Sequence, residues 1–239
     1  MRNAIIVALD VPSVEKARSL VSQLAPLVGG FKIGSELFTS AGSEIVREIR
    51  GSRAAGFLDL KFHDIPNTVA KAVAAVTRLN VQMLTIHTSG GLEMMRAAEA
   101  AAQETSKQLG SPPPLVLGVT VLTSLETRDL AEVGQPPDIG KQVERLANLA
   151  MQAGLRGLVC SPLELAVLRQ ILPTEIKLVT PGIRGPDDPP SDQKRTLSAP
   201  EAVGAGADYL VIGRPICNAE NPRTAAEKIL KSLQGFLLA

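Results

Sequence analysis

Eight short runs rich in Val, Ile and Leu recur along the chain, and each is followed by a longer segment with helical periodicity. This alternation is typical of βα units that build a parallel sheet. The 239 residues are close to the roughly 250 residues of a single α/β barrel. We therefore predict a (β/α)8 TIM barrel in which residues 1–239 form a single domain, rather than an open doubly wound sheet. The strands are expected near residues 3–9, 29–33, 56–61, 81–87, 114–120, 156–160, 176–180 and 208–213.

The segment after the first run illustrates the helical pattern. Pro12 and Ser13 form a helix start signal. The apolar residues that follow recur at the spacing of one helical face, and they are Val14, Ala17, Leu20, Val21 and Leu24. Similar stripes predict helices over residues 67–79, 138–153 and 222–237.

The charge balance argues against a polyanionic partner such as nucleic acid. Lys and Arg number 25 against 24 Asp and Glu, a net charge of +1, whereas nucleic-acid-binding domains carry a basic excess. Cys160 and Cys217 are the only cysteines, too few for a disulfide framework or a metal-binding pair, which favours a reduced, cytoplasmic location. The chain has no run of membrane-spanning length and no signal-peptide core near its start. We expect a soluble protein that does not bind membranes.

A charged stretch interrupts the third apolar run, within Phe57-Leu-Asp-Leu-Lys-Phe-His-Asp-Ile-Pro-Asn-Thr-Val69. In a regular strand over residues 56–62, Asp59 and Lys61 project to one face and the intervening apolar residues to the other. Asp64 follows the strand end, and the proline two residues later starts a helix. Three closely spaced charges of alternating sign can stay ionised, because each offsets the desolvation of the next.

Two interpretations of this charged triad are open from its own residues. It is the kind of site where chemistry is done, because perturbed titratable groups cluster at active sites. It is also compatible with a structural ion pair between Asp59 and Lys61 in a barrel core, with Asp64 as a cap for the next helix. The rest of the chain must decide between them.

Polar side chains lie at or beyond the end of almost every predicted strand. Barrel enzymes build their sites from the loops that follow the strands, so these positions are the candidates for function. In strand order they are Asp10, Lys32, Asp59 with Lys61, His87, Thr120 with Thr123, Ser161, Thr180 with Arg184, and Arg214. The first three strands together carry four charged residues at their ends, which favours a functional site over an unrelated placement of each charge.

Several of these residues also have a structural interpretation. Asp10 is compatible with a helix cap, and Lys32 with an edge residue whose ammonium group reaches solvent. His87 lies among hydroxyl residues, as a hydrogen-bonded framework group would. We expect His63 to point outward and assign it no role.

Two glycine-containing segments follow the last two strands, Thr180-Pro-Gly-Ile-Arg-Gly185 and Val211-Ile-Gly-Arg-Pro215. The loops after strands seven and eight of a barrel frequently bind phosphate, where glycines expose backbone N–H groups and arginine forms charge-assisted hydrogen bonds. Arg184 and Arg214 are therefore candidate phosphate ligands.

A polar stretch with three prolines lies between the two candidate phosphate segments, over residues 182–195. It has neither helical nor strand periodicity, and it is compatible with a plain surface loop. Its position favours a lid over about residues 181–196 that closes on the phosphate and excludes water.

Taken together, these motifs resemble the orotidine 5′-monophosphate decarboxylase family. The resemblance covers nearly the whole chain, from the first strand to the last. Its central motif is Asp59-x-Lys61-x-x-Asp64-Ile-Pro-Asn-Thr68, accompanied by Ala8-Leu-Asp10, Phe31-Lys-Ile-Gly34, Leu122-Thr-Ser124, Thr180-Pro-Gly-Ile-Arg184 and Ile212-Gly-Arg214.

The resemblance implies a dimeric enzyme that converts orotidine 5′-monophosphate to uridine 5′-monophosphate, the last step of de novo synthesis, without a metal or an organic cofactor. Lys61 would be the proton donor in a network of alternating charges. The implied roles are Lys32, Asp59, Lys61 and Asp64 for catalysis; Asp10 and Lys32 for the ribose; Thr123 and Gln193 for the pyrimidine; Arg184, Gly213 and Arg214 for the phosphate; Pro181 as a further substrate contact; and Asp64, Ile65 and Thr68 from the partner subunit.

Two other functions are compatible with such a barrel. A magnesium-dependent group of barrels that acts on sugar phosphates has a similar Asp-x-Lys-x-x-Asp motif. That group places a glutamate at the end of strand two, whereas this chain has Lys32 there. An ammonium group at that place argues against a dication. A non-catalytic phosphate-binding barrel would need only Arg184 and Arg214, whereas the charged triad is also intact here.

Overall fold

The computed structural model describes residues 3–52, 54–185 and 195–234, and within these residues eight parallel strands form a closed barrel in sequence order. Each strand pairs with its neighbours in the chain, and the first pairs with the last. The predicted TIM barrel is confirmed. Seven predicted runs each contain one strand, and β3 extends one residue beyond each end of the run predicted over residues 56–61. The strands are β1 (Ile5–Ala8), β2 (Gly30–Ile33), β3 (Ala55–Phe62), β4 (Met83–His87), β5 (Leu115–Val119), β6 (Gly157–Val159), β7 (Lys177–Thr180) and β8 (Tyr209–Ile212).

Helices surround the strands, and the described part of the chain contains eleven α-helices. Short 3₁₀ turns follow β4 and β6, at Thr88–Gly90 and Pro162–Glu164. The α-helices are α1 (Val14–Leu24), α2 (Ser35–Ala41), α3 (Glu44–Gly51), α4 (Pro66–Thr77), α5 (Leu92–Leu109), α6 (Thr127–Glu132), α7 (Ile139–Gln152), α8 (Leu165–Ile171), α9 (Ala199–Gly204), α10 (Arg214–Cys217) and α11 (Pro222–Ser232).

Local sequence signals determine where the predicted helices begin. Ser13 caps α1 because its hydroxyl accepts the backbone N–H of Lys16, and Pro66 occupies the first turn of α4, where a missing N–H costs nothing. The stripe predicted for α1 is buried at four of its five positions, and Val14 is half-buried. Among the helices of the described residues, none is long and apolar enough to cross a bilayer.

The strands separate two apolar layers. Their outward side chains and the helices form the larger layer, and a smaller cluster fills the barrel interior. The interior cluster consists of Ile6, Ala8, Phe57, Met83, Leu117, Val179 and Val211. Because side chains two residues apart share a face of a strand, Asp59 and Thr85 continue the inward rows begun by Phe57 and Met83. The register thus directs polar side chains into the carboxyl end of the barrel.

Gly30 lies where β2 has no room for a side chain beside β3. A Cβ atom at this position would lie 2.6 Å from the carbonyl oxygen of Ala55 and 2.9 Å from the Ala55 Cβ. Gly51, at the end of α3, offers a matched control, because a Cβ there would have no neighbour within 4 Å.

We predict that Gly30→Ala lowers the free energy of unfolding by about 1–3 kcal/mol, as overpacking of a core does. Gly51→Ala is expected to leave stability unchanged or to raise it by up to about 1 kcal/mol. Urea denaturation followed by far-ultraviolet circular dichroism, at one protein concentration, measures both. Equal midpoints for the two variants would show that the contact between β2 and β3 can relax.

Candidate active site

A cavity of about 380 Å³ opens at the carboxyl ends of the strands. Its wall contains residues at or just beyond the ends of β1, β2, β3, β5, β6, β7 and β8, so one cavity collects side chains that are far apart in the sequence. Nine of the predicted site residues line it: Asp10, Lys32, Asp59, Lys61, Thr123, Pro181, Arg184, Gly213 and Arg214.

Four charged side chains form a continuous chain along one wall. The Nζ of Lys32 lies 2.9 Å from Asp10 Oδ1 and 3.5 Å from Asp59 Oδ2. The Nζ of Lys61 lies 2.9 Å from each carboxylate oxygen of Asp59. Asp59 is therefore held between two ammonium groups.

Burial and pairing act on the same groups with opposite effects. Burial alone would raise the pKa of Asp59, but Lys32, Lys61 and the hydrogen bonds of the carboxylate outweigh it and lower the pKa below its ordinary value. Burial alone would lower the pKa of Lys32, but Asp59 and Asp10 outweigh it and raise the pKa. Both groups stay ionised at neutral pH, so the wall carries fixed charges of alternating sign.

The structural alternatives for Lys32 and Asp10 are wrong. Lys32 is buried in β2 of a closed barrel, so it is not an edge residue. Ser13, rather than Asp10, caps α1. Lys61 is not sealed in a core either, because 34% of its side chain is exposed at the cavity.

The backbone at Lys61 departs from the regular strand that the sequence predicts. Its φ angle is +50°, in the left-handed region, and the pairing of β3 with β4 shifts between Leu58 and Phe62. A non-glycine residue in this region costs of order 1–3 kcal/mol and persists only where its surroundings hold it. β3 therefore carries an irregularity at the lysine that faces the cavity.

Thr85 of β4 contacts both Asp59 and Lys61, and the sequence analysis assigns it no role. Its hydroxyl donates to Asp59 Oδ1 at 2.9 Å and accepts the backbone N–H of Lys61 at 2.9 Å. One signal could have found it: Thr85 follows Met83 by two residues, so it faces the barrel interior, where a hydroxyl needs a partner.

Three predicted residues lie apart from the cavity. Asp64, Ile65 and Thr68 are exposed beyond the end of β3, and 66% of Ile65 is accessible. The proposed helix cap at Asp64 is wrong: Ile65 occupies the N-cap position of α4, and Asp64 accepts the N–H of Ile65 itself, at 2.6 Å. Within one chain, these residues contribute nothing to the cavity wall.

The ends of the predicted lid are joined at the cavity rim. Ile183 pairs with Leu197, and the N–H of Arg184 donates to the Leu197 carbonyl at 2.9 Å. Gly182 supplies the turn with a φ of +79°, a conformation that favours glycine. Gln193 and most of the predicted lid lie outside the described residues.

The described residues contain no group of three or more His, Cys, Asp and Glu side chains placed to hold a metal ion. The ammonium group of Lys32, 3.5 Å from the Asp59 carboxylate, occupies the place where a dication bound to that carboxylate would need room. The site therefore has the chemistry of fixed organic charges.

His87, at the end of β4, adjoins the charged wall without joining it. Its ring packs against the outward-facing His63, with 5.4 Å between ring centroids. Burial lowers the pKa of His87, and the charges of His63 and Lys61 lower it further, against a smaller opposing effect of Asp59. His87 is therefore neutral at neutral pH.

We predict that His87 gains its proton only below the ordinary histidine pKa of about 6.5. The chain has two histidines, so proton NMR of the imidazole groups resolves the titration, and His87→Gln identifies the signal. A His87 midpoint above about 6.5 would contradict the proposed balance of burial and charge.

Comparisons with known proteins show which family the chain is similar to. A family profile described as "Orotidine 5'-phosphate decarboxylase / HUMPS family" matches residues 3–229. A relative from Opitutus terrae named orotidine 5'-phosphate decarboxylase is 50% identical over 230 residues, 96% of this chain and 98% of the relative. One of the same name from Moorella thermoacetica is 46% identical over 234 residues, 98% of this chain and 93% of the relative.

A solved structure of the same family has a fold similar to that of this chain. The crystal structure of orotidine 5'-phosphate decarboxylase from Lactobacillus acidophilus has a TM-score of 0.84 and 32% identity, covering 97% of this chain and 99% of that one. Similarity in sequence thus extends across the strands that form the cavity. The chain belongs to the orotidine 5'-phosphate decarboxylase / HUMPS family.

Proposed function

We propose that this chain is a carboxy-lyase that converts orotidine 5′-monophosphate to uridine 5′-monophosphate in pyrimidine biosynthesis. The observation that carries the proposal is the position of Lys61, whose ammonium group lies 2.9 Å from a buried carboxylate and lines the cavity. A proton donor held beside fixed negative charge is what a decarboxylation without an electron-accepting cofactor requires.

The cavity suits a nucleotide in size and in the distribution of its charges. Its volume of about 380 Å³ lies within the range of small-molecule sites. Arg184 and Arg214, with Gly213, would bind the phosphate at one end. Asp10 and Lys32 would bind the ribose hydroxyls, and Thr123 with Pro181 would contact the base. Gln193, by family resemblance alone, would bridge from the lid.

The reaction needs stabilisation of a carbanion. The bond between the pyrimidine C6 and its carboxylate breaks, carbon dioxide leaves, and the electron pair stays on C6. Lys61 then donates a proton from Nζ to C6. The exposed part of the Lys61 side chain gives water a route to restore that proton.

The charged wall favours the transition state over the bound substrate. A substrate carboxylate placed near Asp59 adds a like charge to a crowded site, and that charge departs with carbon dioxide. The electron pair that remains lies next to the Lys61 ammonium group, so attraction grows along the reaction. Contacts to the phosphate and ribose would supply the binding energy that holds the carboxylate there.

The buried Lys32 favours this reaction over magnesium-dependent chemistry on sugar phosphates. Its pKa is raised by Asp59 and Asp10 despite burial, so it remains a cation in the place that a metal ion would need. A non-catalytic phosphate-binding barrel would have no use for a chain of four charges that includes a left-handed lysine, because such strain accumulates at working sites.

A homodimer with shared sites would explain the exposed segment after β3. Ile65 exposes 66% of its surface, and a partner that covered it would remove this apolar area from water. We propose that Asp64, Ile65 and Thr68 complete the cavity of the partner subunit. Asp64 would there join the partner's own Lys32, Asp59 and Lys61 as a catalytic residue. The cytoplasmic location stays a prediction. It is compatible with the two cysteines, which are both free and buried.

The first prediction is that activity survives a chelator and depends on Lys61. The fall in ultraviolet absorbance on addition of orotidine monophosphate, with excess EDTA present, measures it. Lys61→Ala is expected to lower kcat by at least about 10²-fold, the scale of a lost acid–base group, while uridine monophosphate still binds.

Lys231→Ala is the matched control, because Lys231 is exposed on α11 and should behave as wild type. Wild-type turnover by Lys61→Ala would remove the proposed donor. Loss of wild-type activity in EDTA, with recovery on addition of magnesium, would remove the cofactor-free reaction.

The second prediction concerns the shared site. Lys61→Ala and Asp64→Ala chains, each nearly inactive, are mixed in equal amounts and allowed to exchange subunits. Random pairing makes about half of the dimers hybrids, and each hybrid has one site with both lesions and one with neither. About a quarter of the wild-type number of sites should therefore return.

The control mixes Lys61→Ala with Asp59→Ala. These two residues serve the same chain, so every hybrid site keeps one lesion and activity should stay at the mutant level. If the Asp64→Ala mixture also stays there, with exchange demonstrated by mass spectrometry, Asp64 does not act in the partner's site.

A further inference from the structure

The irregularity in β3 leaves a gap in the hydrogen-bond ladder with β4. Leu58 pairs with Leu84, and the next pair joins Phe62 with Ile86. Three residues of β3 thus lie opposite a single residue of β4, which is Thr85. Regular backbone pairing does not extend over this stretch, so its backbone groups need other partners.

The hydroxyl of Thr85 supplies one such partner. It accepts the N–H of Lys61 and donates its one proton to Asp59 Oδ1, each at 2.9 Å. Thr85 is fully buried, so water cannot replace either bond without rearrangement. A single oxygen atom therefore connects the backbone of the lysine to the carboxylate that its ammonium group contacts.

We propose that Thr85 is a positioning residue, whose hydroxyl holds the left-handed backbone of Lys61 and the orientation of the Asp59 carboxylate so that the Lys61 ammonium group points into the cavity. This inference rests on the proposed role of Lys61 as proton donor. Thr85 itself does not line the cavity, so it acts through the other two residues.

Thr85→Val tests the hydroxyl at nearly constant volume. The variant keeps the branched shape and leaves the Lys61 N–H and one lone pair of Asp59 without their partner. Misplacement of a reacting group by about 1 Å can cost about 10²-fold, so we expect kcat to fall by about that factor. Affinity for uridine monophosphate should stay within about threefold, because the phosphate and ribose contacts lie elsewhere.

Two variants separate the hydroxyl from its surroundings. Thr85→Ser keeps the hydroxyl and should recover most of the lost kcat. Thr88→Val removes an equally buried hydroxyl, which donates to the Val119 carbonyl at 2.7 Å, and should leave kcat unchanged. Where Thr85→Val fails to fold, as judged by circular dichroism, Thr85→Ala and Thr85→Ser form the comparison.

Amide hydrogen exchange at Lys61 gives a readout that does not depend on catalysis. Loss of the acceptor should speed exchange of the Lys61 N–H at least about tenfold in Thr85→Val relative to Thr85→Ser, as expected for a lost local hydrogen bond. Two results would overturn the positioning role when the wild type is active. One is an unchanged kcat in Thr85→Val, and the other is an equal loss of kcat in Thr85→Val and Thr85→Ser.

The exchange measurement also separates the two proposals. A wild type without decarboxylase activity would refute the proposed function. If exchange of the Lys61 N–H is slow in the wild type and equally slow in Thr85→Val, the role of Thr85 is refuted instead. Faster exchange in Thr85→Val with full activity would show that the hydroxyl holds the backbone without any effect on proton transfer, which also overturns the proposal.

Discussion

The buried carboxylate of Asp59 is the group on which the geometry of the cavity depends. A carboxylate removed from water costs several kcal/mol unless opposite charges and hydrogen-bond donors replace its hydration. Lys32, Lys61 and Thr85 supply that replacement. Because each partner also depends on Asp59, the group behaves as a unit, and substitutions within it should not have additive effects.

The closed barrel makes this arrangement possible at a modest structural cost. Parallel register places Lys32 beside Ala8 and Phe57, with its side chain directed inward, and the row after Phe57 continues with Asp59. The cost appears at Lys61, where the strand adopts a left-handed conformation. Proteins tolerate such local conflict mainly at functional sites, where neighbouring contacts compensate for it.

Much of this architecture is predictable from the sequence, for identifiable reasons. The strands stand out because their apolar runs are separated by amphipathic helices, and most site residues stand out because they follow strand ends. Thr85 does not stand out, because threonine is common in β-strands and its presence in an apolar strand does not indicate a site. Its role arises only from the irregularity opposite it, which strand propensity does not predict.

Asp64 illustrates a different limit. Its position two residues before Pro66 is visible in the sequence, but its side chain is exposed beyond β3, apart from the cavity of its own chain. Local sequence therefore identifies the residue without identifying the site in which it acts. In our proposal that site belongs to a second subunit, whose surface is encoded by the same sequence but meets Asp64 only on association.

Asp59 is expected to stay ionised between two ammonium groups inside the barrel. Carbon-13 NMR of protein with labelled aspartate carboxyl groups tests it directly, with Asp59→Asn to identify the signal. We predict that the Asp59 carboxyl resonance stays at its ionised position as the pH falls from 8 towards the ordinary aspartate pKa of about 3.9. A titration midpoint above about 3.9 would mean that burial outweighs the two lysines, and would contradict the account.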